Sequence, residues 1–194
     1  MSAMPVILSM TQATLSDGTP VWLRPMAAED CQALRGLFAT ATEADCRYLR
    51  DDVRDPAVVQ QWCEHVDYGR VLPWTAFLDE RAVGQASLHF GCGPERHCAR
   101  IRLFVAPDFR RRGLGARLIE ALIGVARRRG LHQLLAEIVS DQAWLIRAGL
   151  HRGFALGYTL PDAFMFPDGS TAGVTVLRLD LRSSDADAAA GAAR

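Results

Sequence analysis

One stretch of the chain, Ile101–Leu122 (IRLFVAPDFRRRGLGARLIEAL), limits its possible folds more than any other. Alternating apolar residues predict a strand that ends before Pro107, and apolar residues at helical spacing predict a helix from about Gly113 that stops at Gly130. A basic turn with glycines, which keep the backbone open to a ligand, joins the two. Because the first amides of a helix lack partners within it and lie at the positive end of its dipole, the junction predicts an anion site that suits a pyrophosphate.

The spacing of the turn excludes two familiar phosphate-binding motifs. A P-loop ends in Gly-Lys-Ser/Thr, and this chain has no lysine, while a dinucleotide-binding fingerprint requires G-x-G-x-x-G. Arg110-x-x-Gly113-x-Gly115 instead resembles the Arg/Gln-x-x-Gly-x-Gly/Ala loop of the GNAT superfamily, which there also follows a V-x-P strand end. The resemblance implies an acetyl-CoA-dependent acyltransferase whose loop binds the pyrophosphate of the coenzyme.

The resemblance also implies a role for each residue around this loop. The pyrophosphate would be held by the loop and the start of the helix, and the pantetheine arm would pair with the backbone of the preceding strand. The loop residues are Arg110, Arg111, Arg112, Gly113, Leu114, Gly115 and Ala116, and the strand residues are Phe104 and Val105. The alternative interpretation is a plain glycine turn beside a solvated run of arginines.

Composition bounds the class of protein. The chain has 194 residues and 49% apolar content, which predicts a single domain over residues 1–182, followed by a disordered tail over 183–194. The net charge of zero gives no electrostatic footprint for nucleic acid, and no apolar run is long enough to span a membrane. Five cysteines without C-x-x-C spacing and an N-terminus without a signal-peptide pattern favour a reduced, cytoplasmic protein. The sequence is compatible with both a monomer and a homodimer.

The order of the predicted elements indicates the fold class. Two helices, an antiparallel meander and then strand–helix–strand–helix–strand predict an α+β fold of three layers, with a central, mostly antiparallel mixed sheet flanked by helices. We expect a hairpin around Ser16–Thr19, a helix over Pro56–His65 and a loop over Pro161–Gly173. This order is similar to that of GNAT proteins over Ala13–Leu181.

Short segments further resemble the acyltransferase domain of bacterial Pat-type protein lysine acetyltransferases. They are Leu15–Gly18, Leu23–Pro25, Glu29–Asp30, Arg47–Arg50, Val66–Tyr68 and Leu135–Ile138. Pat-type domains place a glutamate base five residues before the strand-end valine, and many GNAT proteins use a tyrosine acid four residues before a Gly-Phe pair. Those positions are Arg100 and Gly149 here, so both usual catalytic side chains are missing.

Other side chains are candidates for proton transfer. The candidate catalytic residues are Glu137, in the middle of the strand after the motif helix, and His89, late in a strand near the expected acceptor groove. Glu95, His97 and Tyr158 are weaker alternatives. Each of them also fits a structural role in packing or solvation. A dedicated base is not required, because an amine near pH 8 is partly neutral and proximity alone supplies much of the rate.

Two arginines suggest the chemistry of the acceptor. Arg100 and Arg102 are two residues apart and therefore lie on one face of the predicted strand. Two guanidinium groups that line a groove would bind a carboxylate or a phosphate, which predicts an acceptor with an acidic group next to its amine. The alternative is that both arginines face water at the edge of the sheet.

Three functions are compatible with these residues. The first is an acetyl-CoA-dependent N-acyltransferase that acts on a protein lysine or a small amine. The second is a non-catalytic acyl-CoA-binding sensor, which the missing glutamate and tyrosine favour. The third is an interaction domain without a ligand, which Gly113 and Gly115 disfavour because nothing else would need their backbone. We expect no metal site, since the five histidines are scattered, and no nucleic-acid or membrane partner.

Overall fold

The computed structural model describes residues 10–182. Its strands are β1 Thr11–Thr14, β2 Pro20–Pro25, β3 Val71–Leu78, β4 Arg81–Phe90, β5 Cys98–Val105, β6 Gln133–Val139, β7 Ala155–Met165 and β8 Thr171–Asp180. Its α-helices are α1 Cys31–Phe38, α2 Glu43–Cys46, α3 Pro56–Glu64, α4 Leu114–Arg128 and α5 Ala143–Leu150. The strands follow the hydrogen-bonded order β1-β2-β3-β4-β5-β6-β8-β7, an eight-stranded mixed sheet flanked by helices. The predicted fold class is confirmed.

Backbone contacts divide the chain into two compact units. The first unit runs to His89 and resumes over Arg102–Val125, and the second unit comprises Phe90–Ile101 and the chain from Ala126. The single domain over residues 1–182 stays a prediction. The predicted tail over 183–194 lies outside the described residues, as does most of the N-terminal segment on which the signal-peptide prediction rests.

The first unit contains an antiparallel meander, the helices α1, α2 and α3, and the part of α4 up to Val125. Strands β1 to β4 pair in chain order, and the predicted hairpin joins β1 to β2. Helix α3 begins at Pro56 behind Asp55, whose carboxylate accepts a hydrogen bond from the Ala57 amide. The apolar side of α4 predicted from its spacing is largely confirmed, because Leu114, Leu118, Leu122 and Val125 are buried, while Ala121 is partly exposed.

In the second unit, β6 pairs on one side with the first half of β5 and on the other side with β8. The β5–β6 pair is parallel, and the β6–β8 pair is antiparallel. The predicted loop over Pro161–Gly173 is wrong, because β7 continues to Met165 and β8 begins at Thr171. A proline is tolerated in an edge strand, where a missing N–H group need not break the ladder, and β7 is an edge strand. Its pairing with β8 is irregular between Leu160 and Phe164, where the proline lies.

No helix within residues 10–182 combines the length and the apolar character that a membrane crossing needs. No group of three or more metal-ligating side chains comes together among the same residues.

Candidate coenzyme site

The end of β5 leads directly into the predicted anion site. The Ala106 amide donates to the Val83 carbonyl of β4 at 3.0 Å, and a 3₁₀ turn follows over Pro107–Phe109. The Phe109 side chain is buried, so this turn is anchored in the core of the first unit. Helix α4 begins at Leu114, one residue after the predicted start. The loop between the turn and the helix therefore consists of residues 110–113.

Two residues of this loop have a left-handed backbone. Gly113 has a φ of 83° and Arg111 a φ of 58°. A Cβ atom on Gly113 would meet no heavy atom within 4 Å, so the backbone conformation, and not lack of space, requires glycine there. Arg111 adopts the left-handed region at a cost of about 1 kcal/mol, and its side chain is exposed. The shape of the loop therefore depends on Gly113.

The start of α4 presents backbone donors. The first hydrogen bond of the helix runs from the Arg117 amide to the Gly113 carbonyl at 3.2 Å. The amides of Leu114, Gly115 and Ala116 precede that bond, so no carbonyl of a previous turn is available to them. These amides and the positive end of the helix dipole suit a phosphate group. The sequence-based site thus has a suitable backbone, while its ligand stays a prediction.

Gly115 has a packing role. A Cβ atom on Gly115 would lie 3.2 Å from the Leu103 side chain of β5, and one on Gly84 of β4 would lie 3.1 Å from the Leu114 side chain. The two glycines therefore let α4 approach the strands closely. The expectation that both glycines of the motif keep the ligand's approach open stays a prediction, and the missing Cβ of Gly115 lies on the side of β5. Its amide remains a predicted donor.

Arg110 connects β5 with α2. Its Nε donates to the Val105 carbonyl at 3.0 Å, its Nη2 lies 2.9 Å from the Asp45 carboxylate, and its guanidinium carbon lies 5.8 Å from the centre of the Phe104 ring. Burial alone would raise the pKa of Asp45, but hydrogen bonds from Arg110 and Thr42 lower that pKa below its ordinary value. A carbonyl oxygen can accept two hydrogen bonds, so the bond from Arg110 is compatible with the predicted contact between Val105 and pantetheine.

Arg112 faces the β1–β2 hairpin. Its guanidinium lies 2.5 Å from the Asp17 carboxylate, donates to the Thr19 hydroxyl at 2.7 Å and stacks on the Phe109 ring at 4.5 Å. Its carbonyl accepts a hydrogen bond from the Ser16 amide at 3.0 Å. The side chain therefore ties the loop to the hairpin, and we assign the predicted phosphate contact of Arg112 to its backbone amide.

Phe104 is part of the core. Its side chain is buried, and its ring lies 5.2 Å from the ring of Phe38 on α1. Only the backbone of Phe104 therefore suits the predicted pairing with a pantetheine arm.

His89 lies half-buried near the end of β4, and its Nε2 is 2.9 Å from the Ser87 hydroxyl. Burial, followed by the positive charges of Arg102 and Arg50, lowers the pKa of His89 to about 4. The imidazole is therefore neutral at pH 7, with one ring nitrogen that can accept a proton.

Arg100, Glu137 and Glu95 form an ion cluster in the second unit. The Arg100 Nε donates to Glu137 at 2.9 Å, and its Nη1 donates to Glu95 at 3.2 Å. The hydrogen bond to Glu137 raises the pKa of Arg100 above its ordinary value. Glu137 and Arg100, predicted from the sequence as a base and as a substrate-binding residue, thus bind each other.

The remaining candidates, Arg102, His97 and Tyr158, are exposed. The Nη1 of Arg102 lies 3.9 Å from the Asp51 carboxylate. The His97 Nδ1 lies 3.1 Å from the Pro94 carbonyl, which can only accept a hydrogen bond. Tyr158 is exposed on the edge strand β7.

Sequence reasoning missed three carboxylates that pair with arginines of the loop and of β5: Asp17, Asp45 and Asp51. Asp45 follows Thr42 by three residues, a capping-box pattern that predicts the start of α2. No spacing rule connects any of the three with its arginine, since the partners are far apart in the chain.

A protein-family comparison now bears on this geometry. Residues 32–154 match the model of the acetyltransferase (GNAT) family. The chain belongs to this family. The matched range includes β5, the loop and α4, so the GNAT resemblance of the sequence is confirmed.

Similar proteins of Pseudomonas aeruginosa have acetyltransferase names. One, an acetyltransferase, is 31% identical in an alignment of 129 residues that covers 62% of this GNAT chain and 67% of that protein. An L-methionine sulfoximine/L-methionine sulfone acetyltransferase is 44% identical over 62 residues, which are 31% of this chain and 35% of that enzyme.

A solved structure supports the fold. The GNAT domain of PAT from S. lividans is similar with a TM-score of 0.72 and 20% identity, over 88% of this chain and 96% of that domain. At this identity the likeness concerns the fold alone. The finer resemblance to Pat-type enzymes stays a prediction.

Proposed function

We propose that this GNAT protein is an acetyl-CoA-dependent N-acetyltransferase, with its coenzyme held at residues 110–116. The observation that carries the proposal is the start of α4. Three helix amides follow a glycine with a φ of 83°, at the end of the turn and loop that connect β5 with α4. Family membership makes an acyl-CoA the anion to expect there.

The residues present fit the diphosphate of such a coenzyme. The amides of Leu114, Gly115 and Ala116 would hold phosphate oxygens, with those of Arg112 and Gly113 before them. The exposed Arg111 side chain would add charge. When bound, the coenzyme supplies an acetyl thioester, which an amine attacks. The backbone of Phe104 and Val105 would orient the pantetheine arm.

We propose His89 as the proton acceptor for the attacking amine, ahead of Glu137. The pKa of about 4 keeps the His89 imidazole neutral, with a lone pair available across the physiological range. The Glu137 carboxylate already accepts a hydrogen bond from Arg100. A base with so low a pKa is weak, so orientation of the amine would supply most of the acceleration.

We propose a small amine with an acidic group as the acceptor, with a protein lysine as the alternative. Arg102 is the residue proposed to bind the acid, because its side chain is exposed on β5, whereas Arg100 lies between the carboxylates of Glu137 and Glu95. The name of the relative that acetylates L-methionine sulfoximine, an amino acid, supports this class of acceptor.

One observation favours the sensor as a second candidate. A Cβ atom on Gly149, the position of the family's tyrosine acid, would lie 2.5 Å from the Leu177 side chain. No side chain enters there without moving Leu177. The usual acid is therefore replaced by packing, as expected if catalysis has been lost. The predicted cytoplasmic location and the absence of a nucleic-acid partner stay predictions from composition.

A paired measurement tests these functions. Calorimetry with coenzyme A measures binding, and release of free thiol from acetyl-CoA measures transfer to L-methionine sulfoximine, to its neutral amide and to a lysine peptide. The enzyme is expected to bind, to release thiol and to prefer the acid over the amide, and Arg102→Gln is expected to reduce that preference about tenfold. Binding without thiol release supports the sensor, and no binding contradicts both functions.

The pH dependence tests the base. We expect kcat/KM to rise with pH as the acceptor amine loses its proton, with no break near pH 6.5, because the pKa of His89 is about 4. His89→Gln is expected to lower kcat/KM about ten- to a hundredfold, while Glu137→Gln has the smaller effect. A break near the ordinary histidine pKa, or a larger loss in the Glu137 variant, would overturn the assignment.

A further inference from the structure

Asp45 is a carboxylate that the proposed chemistry does not use, and it is unusually well held. It occupies the third position of the short helix α2, and its Oδ2 accepts hydrogen bonds from the Thr42 amide at 2.9 Å and from the Thr42 hydroxyl at 2.8 Å. The same oxygen lies 2.9 Å from the Nη2 of Arg110. The capping box therefore fixes the position of the Asp45 carboxylate independently of its contact with Arg110.

The guanidinium of Arg110 is fixed from three sides. Its Nε donates to the Val105 carbonyl, its Nη2 reaches Asp45, and the Phe104 ring lies 5.8 Å from its central carbon. An arginine has five N–H donors in one rigid plane. These contacts use two of them and fix the plane, so the direction of the other three is set by the protein.

We infer that Asp45 is the positioning residue of the coenzyme site: it holds Arg110 so that the remaining N–H groups face the coenzyme's diphosphate. This inference rests on the proposed coenzyme site at residues 110–116. Nothing in the comparisons assigns a role to this carboxylate. The inference also assigns a role to α2, because this helix contributes Asp45, which contacts the first arginine of the loop.

Electrostatics alone predicts the opposite effect. A carboxylate next to an anion site repels the anion, and it offsets the charge of the arginine that attracts it. If Asp45 is merely a neighbouring charge, its removal strengthens coenzyme binding. If Asp45 positions Arg110, its removal weakens binding, because the freed side chain must be ordered when the coenzyme binds. The sign of the change therefore separates the two roles.

The test is Asp45→Asn, which keeps an oxygen to accept from Thr42 and removes the charge. The control is Glu43→Gln, which removes the same charge from the same helix, two residues away. Affinity for coenzyme A is measured by calorimetry for both variants, for Arg110→Gln and for the double variant Asp45→Asn/Arg110→Gln. Steady-state kinetics gives KM for acetyl-CoA and kcat, and thermal unfolding reports on the fold.

We expect Asp45→Asn to weaken coenzyme A binding about three- to tenfold and to raise KM for acetyl-CoA, with kcat unchanged. Glu43→Gln should leave the affinity unchanged, and Asp45→Asn should add no loss to Arg110→Gln. Tighter or unchanged binding in Asp45→Asn overturns the inference, as does an equal loss in the Arg110→Gln background. Failure of the unaltered protein to bind coenzyme A contradicts the proposed coenzyme site itself, which is a different result.

Discussion

The loop at residues 110–116 and the Arg100 cluster of the second unit differ in what sets their geometry. In the loop, the backbone sets the geometry: a left-handed Gly113 turns the chain, and the amides of Leu114, Gly115 and Ala116 precede the first hydrogen bond of α4. In the cluster, side-chain contacts set the geometry: the Arg100 guanidinium donates to the Glu137 carboxylate at 2.9 Å and to the Glu95 carboxylate at 3.2 Å.

The difference lies in what sets each geometry. A glycine turn and a helix start are local, so their spacing in the sequence predicts their shape. The protonation and availability of a side chain depend on partners from other elements. Glu137 illustrates this, because the sequence allows it to be a base, whereas its contact with Arg100 makes it a member of an ion pair.

The largest expected effect is on the loop. Gly113→Val places a β-branched residue at a φ of 83°, which is strained by about 1–3 kcal/mol and shifts the amides that follow. We expect coenzyme A affinity to fall about ten- to a hundredfold, measured by calorimetry. Gly130→Val is the control, because Gly130 has a φ of 70° and equally open surroundings, outside the loop. An equal loss of affinity in the control would show that general strain, and not loop geometry, causes the effect.

An intermediate effect is expected on stability. Gly115→Leu forces a side chain against Leu103, and we expect the free energy of unfolding to fall by about 1–3 kcal/mol in urea denaturation. Gly36→Leu is the control, because Gly36 lies in α1 with nothing within 4 Å of a built Cβ, and helix propensity should make that change neutral or stabilising. If Gly115→Leu is no less stable than Gly36→Leu, the close approach of α4 to β5 is not what requires glycine.

The smallest effect is expected in the cluster. Glu137→Gln removes one partner of Arg100 while Glu95 remains, and a partly exposed pair contributes little, so unfolding free energy should change by less than about 1 kcal/mol. Urea denaturation at low and high salt, with Glu95→Gln as the matched variant, measures it. Coenzyme A affinity should stay unchanged. A loss above about 2 kcal/mol, or a weaker affinity, would mean that the cluster is as essential as the loop.

Features set by neighbouring residues were predictable from the sequence, and features set by distant residues were not. The strand, the turn and the start of α4 were predictable within one residue, since each rests on neighbouring residues. The loop over Pro161–Gly173 was not, because Pro161 breaks a central strand but is tolerated in the edge strand β7. Which strand lies at the edge is a property of the whole sheet.

The sequence also did not predict which carboxylates pair with the arginines. Asp45 could be read as part of a capping box, yet its contact with Arg110 follows from where α2 lies in the first unit. The pKa of His89 is a similar case, because burial near the end of β4, with Arg102 and Arg50 close by, lowers it to about 4.

The amino-acid sequence by itself determined the α+β class, the phosphate-type loop and the GNAT family, because periodicity, glycine positions and helix starts act over a few residues. Only the tertiary structure decided which arginine pairs with which carboxylate, that the missing Cβ of Gly115 lies against Leu103, and that burial and two arginines lower the pKa of His89. The physical reason is that burial and ion pairing join residues that are distant in the chain, and no local pattern encodes such distances.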